Sequence, residues 1–115
     1  MSDRVPLERK TSLTNNVLTA EIDISSATTT SVVAAVTGRK VKIYRIFIWS
    51  AGTNVVTLLS ASTDLSGPIT FSASGELSLS GEVPVLCCAL SEAFRITTST
   101  TGQISGWVQY TTSQL

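Results

Sequence analysis

Short runs in which apolar and polar residues alternate fill most of this 115-residue chain, the period of a half-buried β-strand. Ile22 and Ile24 alternate with Glu21 and Asp23, and Val32, Ala34 and Val36 alternate with Ser31, Val33 and Ala35. Ile69 and Phe71 alternate with Thr70 and Ser72, and Leu77 and Leu79 with Ser78 and Ser80. The loop Ala73-Ser74-Gly75-Glu76 between those two runs is short and contains glycine, so it predicts a hairpin. Val83 to Leu90 reads as a further strand, with Pro84 near its start where a missing N–H is tolerable. Phe94, Ile96 and Thr98 form the next run, and Ile104, Gly106, Val108 and Tyr110 alternate with Ser105, Trp107 and Gln109 in the last.

One segment breaks the alternation. In GRKVKIYRIFIWSAG, residues 38–52, Val41 and Ile43 point one way and Lys40 and Lys42 the other. From Tyr44 onward Ile46 and Ile48 are apolar on one face while Phe47 and Trp49 are apolar on the other. A strand of an antiparallel sandwich normally keeps one wet face. Either a bulge near Tyr44–Arg45 shifts the register, or the second face meets another chain. The second option is the leading expectation, and it places Tyr44, Ile46, Ile48 and Trp107 at an interface with a sister subunit or another protein. Val55 to Leu59 shares the two-sided character.

About eight or nine strand signals spaced by turn residues predict an all-β fold, an antiparallel two-sheet β-sandwich of jelly-roll-like type. An immunoglobulin-like sandwich is the alternative, but its Cys…Trp…Cys spacing is absent. Residues 1–18 mix charge with Pro6 and the polar run Thr14-Asn15-Asn16 and show no sustained period. They read as an extended N-terminal arm, with residues 19–115 as the sandwich domain. Arms are ordered only when tied down, which makes Arg4, Arg9 and Lys10 candidates for gripping a partner.

Composition strengthens the expectation of a partner. Charged residues make up 14% of the chain, against roughly 25% in ordinary domains. Formal net charge is zero and mean hydropathy is positive, a balance that favours association. No apolar run reaches the roughly 18 residues of a membrane span. The start, MSDRVPLERKTSL, has no apolar core after its charges, so it does not read as a secretory signal. Synthesis and assembly in a cytoplasm are the expectation.

The chain contains no histidine, the commonest general base and metal ligand. It has no phosphate-cradling Gly-rich loop with Lys-Ser/Thr. Ser74-Gly75 and Ser80-Gly81 lack the helix that follows a nucleophile elbow. Glu76 and Glu82 read as exposed turn carboxylates rather than a glycosidase pair, which would need one burial-raised pKa. Asp64 with Glu76 lacks the ligand density of a calcium loop. Cys87 and Cys88 read as small buried apolar residues, because no basic group nearby would lower a thiol pKa. No catalytic residue, cofactor or metal is therefore predicted. Arg39, Lys40, Lys42 and Arg45 with Tyr44 superficially resemble a nucleic-acid patch. Strict alternation, however, puts Lys40 and Lys42 opposite Arg39 and Arg45, which argues against nucleic acid. Exposed tryptophans with Asn54 or Asp64 nearby offer an alternative, a carbohydrate- or receptor-binding sandwich of a fibre, spike or tail.

The arm, the segment GRKVKIYRIFIWSAGTNVVTLLS, the Gly-marked hairpin, the Pro-started strand and the closing GQISGWVQYTTSQL together resemble the small head decoration or cement proteins of tailed bacteriophages. The resemblance spans roughly residues 28 to 112 and carries no catalytic motif. It implies a β-sandwich that forms trimers on the outside of an icosahedral capsid. There it would bridge major capsid subunits and reinforce the shell as a virion component, with Arg4, Arg9 and Lys10 holding the lattice or a sister subunit. The family offers no set of binding residues to transfer. The neutral charge of this chain departs from a strong electrostatic match to a capsid, so apolar and strand-edge contacts are the expected glue.

Overall fold

The computed structural model describes residues 17–114. Ten strands occupy them: β1 Leu18–Ile24, β2 Thr29–Val33, β3 Lys40–Ser50, β4 Asn54–Ser60, β5 Thr63–Asp64, β6 Ile69–Phe71, β7 Gly75–Ser80, β8 Leu86–Cys87, β9 Phe94–Thr98 and β10 Ile104–Ser113. They form two antiparallel sheets packed as a β-sandwich. The first runs β1-β10-β3-β7, with β8 beside β3 beyond the end of β7. The second runs β2-β9-β4-β5, with β6 also beside β4. Consecutive strands from β1 to β4, and again from β8 to β10, lie in alternate sheets.

The core lies between the sheets and is almost wholly aliphatic. Ile22, Val41, Ile43, Ile46, Ile48, Ile104 and Val108 enter it from the first sheet, and Val33, Val56, Leu58, Phe94 and Ile96 from the second. β-Branched side chains dominate because they are stiff and pack well on a pleated surface.

The broken alternation in β3 is a bulge. Arg45 pairs with Gln109 of β10, but the next pair is Ile43 with Tyr110, leaving Tyr44 as the extra residue. On the other edge of β3, pairing with β7 stops at Arg45 and pairing with β8 starts at Ile43. Gly81 N–H donates to Tyr44 O and Val85 N–H to Ile43 O, so the connection bends around the bulge. One inserted residue shifts the side-chain phase. Val41 and Ile43 before it, and Ile46, Ile48 and Ser50 after it, therefore all face the core.

This corrects the reading of Ile46 and Ile48 as interface residues. They are 1% and 0% exposed and belong to the core of this chain. A second correction concerns the predicted Ile69–Leu79 hairpin: β6 pairs with β4 in one sheet and β7 with β3 in the other. The Ser72–Ser74 connection thus passes from sheet to sheet. Both strands are one-faced because both line the core, from opposite sides. Residues 83–90 form only the two-residue β8, and β2 ends at Val33, so Ala34 and Val36 lie beyond it.

Two local features constrain the strands. The Asn54 side chain is fully buried. Its Oδ1 accepts from Ser99 N–H at 3.0 Å and Thr100 N–H at 3.2 Å, while its Nδ2 donates to Gly102 O at 3.1 Å. One side chain thereby satisfies three backbone groups of the β9–β10 loop, any of which would be costly left unpaired. Gly106 lies in β10 between β1 and β3, with φ +148°. A Cβ there would stand 1.8 Å from Phe47 O, so only glycine fits.

Candidate docking face

The register of the first sheet defines its outer face row by row. One row reads Glu21, Trp107, Phe47, Ser78 across β1, β10, β3 and β7. The next row toward the end of β3 reads Asp23, Ser105, Trp49, Glu76. In the other direction the row is Thr19, Gln109, Arg45, Ser80, and past the bulge come Thr111, Lys42 and Cys87, then Ser113 and Lys40. Every residue of these rows comes from a strand.

Phe47 and Trp107 are cross-strand partners and stack with ring centroids 6.2 Å apart and planes at 27°. Such a pair contributes about 0.5–1.5 kcal/mol beyond its buried area. Trp49 and Trp107 each stay 40% exposed, and Phe47 is half-buried. Three large aromatic side chains on one strand pair are more than scattered surface apolar residues, and contiguous patches of this kind mark contact sites. Glu21, Asp23 and Glu76 rim the patch and are all exposed. Gln103 Nε2 donates to Asp23 Oδ1 at 2.7 Å.

Of the sequence-predicted interface residues, Trp107 is on this face. Tyr44 is half-buried at the bulge, lining a shallow depression with Val17, Arg45, Gly81 and Gln109. Arg4, Arg9 and Lys10 lie outside the described residues. Phe47, Trp49, Arg45 and the carboxylate rim were missed as site residues. Choosing the bulge over a second burial partner would have found them, since it swaps which half of the segment faces out.

The bulge also corrects the reading of the basic cluster. Strict alternation separates Arg45 from Lys40 and Lys42, whereas the inserted residue returns Arg45 to their face. Arg39 stands just beyond, its guanidinium donating to Thr112 O at 3.2 Å. An open depression of about 480 Å³ lies among Arg39, Lys42, Thr112, Ser113 and Gln114.

Other candidate groups are dispersed. Asn54 is spent on the β9–β10 loop, and Asp64 lies on β5 in the opposite sheet from the tryptophans. Glu76 and Glu82 stand toward opposite ends of β7, a strand that spans about 16 Å, too far apart for a carboxylate pair to act on one bond. No group of three His, Cys, Asp or Glu positioned to hold a metal occurs among the described residues. Both cysteines are free; Cys88 is buried as predicted, whereas Cys87 is exposed. Burial pushes the Cys88 thiol up to about 11, against a partial opposing effect of its hydrogen bond with Ser60. Ser60 Oγ donates in turn to Glu92 Oε1 at 2.6 Å. A thiol held protonated in this way is a poor nucleophile.

Comparisons with protein-family models, curated proteins and solved structures give no match.

Proposed function

We propose that this protein is a structural, non-enzymatic virion component: a capsid decoration or cement protein that binds the outer surface of a phage head and stabilises contacts between major capsid subunits. The observation that carries the contact role is the outward Phe47–Trp49–Trp107 patch on an open sheet face, with both tryptophans exposed. Tryptophan and tyrosine are enriched where proteins meet proteins, and an open face suits a broad partner better than a small molecule in a cleft. The head as the partner rests on the resemblance of the segments beginning at Gly38 and Gly102. The strand orders β1-β10-β3-β7 and β2-β9-β4-β5 support a jelly-roll reading of the sandwich.

Co-sedimentation with purified phage heads that lack the protein tests the proposal. The wild-type chain is expected to pellet with heads, and a Trp49→Ser/Trp107→Ser variant to bind at least about tenfold more weakly, as for loss of aromatic anchors. A folded wild-type protein that stays in the supernatant refutes the role. A second reading, glycan binding by a fibre or tail module, is favoured by the carboxylates beside the two tryptophans. A glycan-array signal lost in the same variant, with heads ignored, would select it.

A further inference from the structure

The outer face of the first sheet is electrically lopsided along its strands. In the half toward the start of β3, the rows hold Lys40, Lys42 and Arg45 and no acidic residue, with Arg39 just beyond. In the half toward the end of β3, the rows hold Glu21, Asp23 and Glu76 and no basic residue, and they surround the aromatic patch. Glu82 is exposed in the loop after β7 and follows Gly81, whose N–H donates to Tyr44 O, so it stands by the basic half, off the strand rows. The face therefore carries both members of a complementary pair.

We propose that a second copy of this chain packs on this face, sheet against sheet with strands reversed, about a twofold axis that crosses the strands between the Arg45 and Phe47 rows. The inference rests on the reading of this face as a protein contact, and because pairing covers the aromatic patch that meets the head, the pair is the free form and the separated chain the head-bound one. Stacking with strands in the same direction would lay the basic half on the basic half. Reversal sets Arg45 of each copy over Phe47 and Trp107 of the other, and Lys42 over the row of Trp49 and Glu76. Guanidinium and ammonium groups are attracted to indole and phenyl faces, and Glu21 and Glu76 supply the countercharge. One isologous operation makes every such contact twice. A threefold ring would instead need a second, different surface complementary to this one.

Strands of 7, 10, 11 and 6 residues make a face of about 540 Å² per copy. A pair then buries about 1,100 Å², the size of a weak, transient interface. The pair is accordingly expected to dissociate at micromolar concentrations, and the zero net charge of the chain adds no overall repulsion to oppose it.

Sedimentation velocity of the full chain between about 1 and 100 µM tests the pairing. The wild type is expected to pass from monomer to dimer. Lys42→Glu/Arg45→Glu leaves Lys40 as the one basic residue among the rows of a predominantly acidic face, and Glu21→Lys/Glu76→Lys leaves Asp23 as the one acidic residue among the rows of a predominantly basic one. Each variant alone is expected to pair at least about tenfold more weakly, while a one-to-one mixture regains the dimer, because charge complementarity selects partners. Trp49→Ser provides a second check at an exposed position and is expected to weaken pairing similarly, with circular dichroism confirming the fold of every variant. A wild type that is monomeric or trimeric throughout, a mixture that fails to dimerise, or full pairing by Trp49→Ser overturns the inference. Head co-sedimentation separates this outcome from the functional reading: a monomer that binds heads sinks the pairing alone, and a dimer that ignores heads sinks the capsid role alone.

Discussion

At the residue scale, the fold depends on a few positions where chemistry leaves no substitute. Gly106 is one, because its φ of +148° and the Phe47 carbonyl 1.8 Å from any Cβ exclude every other residue. Gly106→Ala is expected to destabilise the chain by about 3 kcal/mol or more, the range of backbone strain combined with overpacking, as read from urea denaturation. Cys88 is another. Its thiol is held protonated to about 11 in the folded chain, against 9.0 ordinarily. The folded state thus retains a proton that the unfolded state releases first. The stability this contributes is full below pH 9 and is lost as pH rises from 9 to 11. Between pH 8 and 10 the wild type is expected to lose on the order of 1 kcal/mol more than Cys88→Ala. Comparing urea midpoints of the two proteins at both pH values checks the sign. At neutral pH, alkylation of the native chain should label the exposed Cys87 and spare Cys88 until the chain unfolds.

At the scale of elements, the β3 bulge decides most. It lets one strand place Val41 and Ile43, then Ile46 and Ile48, on the same side despite an odd interval between them. Deleting Tyr44 removes the extra residue. The remaining order Ile43, Arg45, Ile46 alternates strictly, so Val41 and Ile43, both fully buried, keep facing the core. The deletion is expected to retain a cooperative thermal transition, as is Tyr44→Thr, which keeps the bulge. Loss of the transition in the deletion would show that the bulge itself holds the strand pairing. The β6–β7 pair carries a related lesson. Alternation at Ile69, Phe71, Leu77 and Leu79 correctly marked which side of each strand is apolar, but not which strand sits beside it. A short Gly-containing loop serves equally to close a hairpin or to carry the chain between sheets.

For the whole molecule, the hydrophobic core cluster among the described residues runs from Ile22 to Val108 and draws on both sheets. A chain lacking residues 1–16 is expected to melt within a few degrees of the full protein by circular dichroism, and a collapse of the transition would make the arm part of the fold. The all-β class, the strand-rich spacing and the outward phase of Trp107 were legible in the sequence, because a period of two is a local consequence of the pleat and needs no knowledge of partners. Low charge and two-sided apolar strands raised the expectation of a partner, and the bulge accounts for the two-sided pattern of β3 within the chain itself. Which apolar face of β3 is the surface was settled only by tertiary structure. A bulge is defined by the register of two neighbouring strands, and β10 lies more than fifty residues further along the chain. The same long-range pairing buried Ile46 and Ile48, exposed Phe47 and Trp49, and reunited Arg45 with Lys40 and Lys42. The local pattern set what each strand is, and contacts distant in sequence set where each face looks.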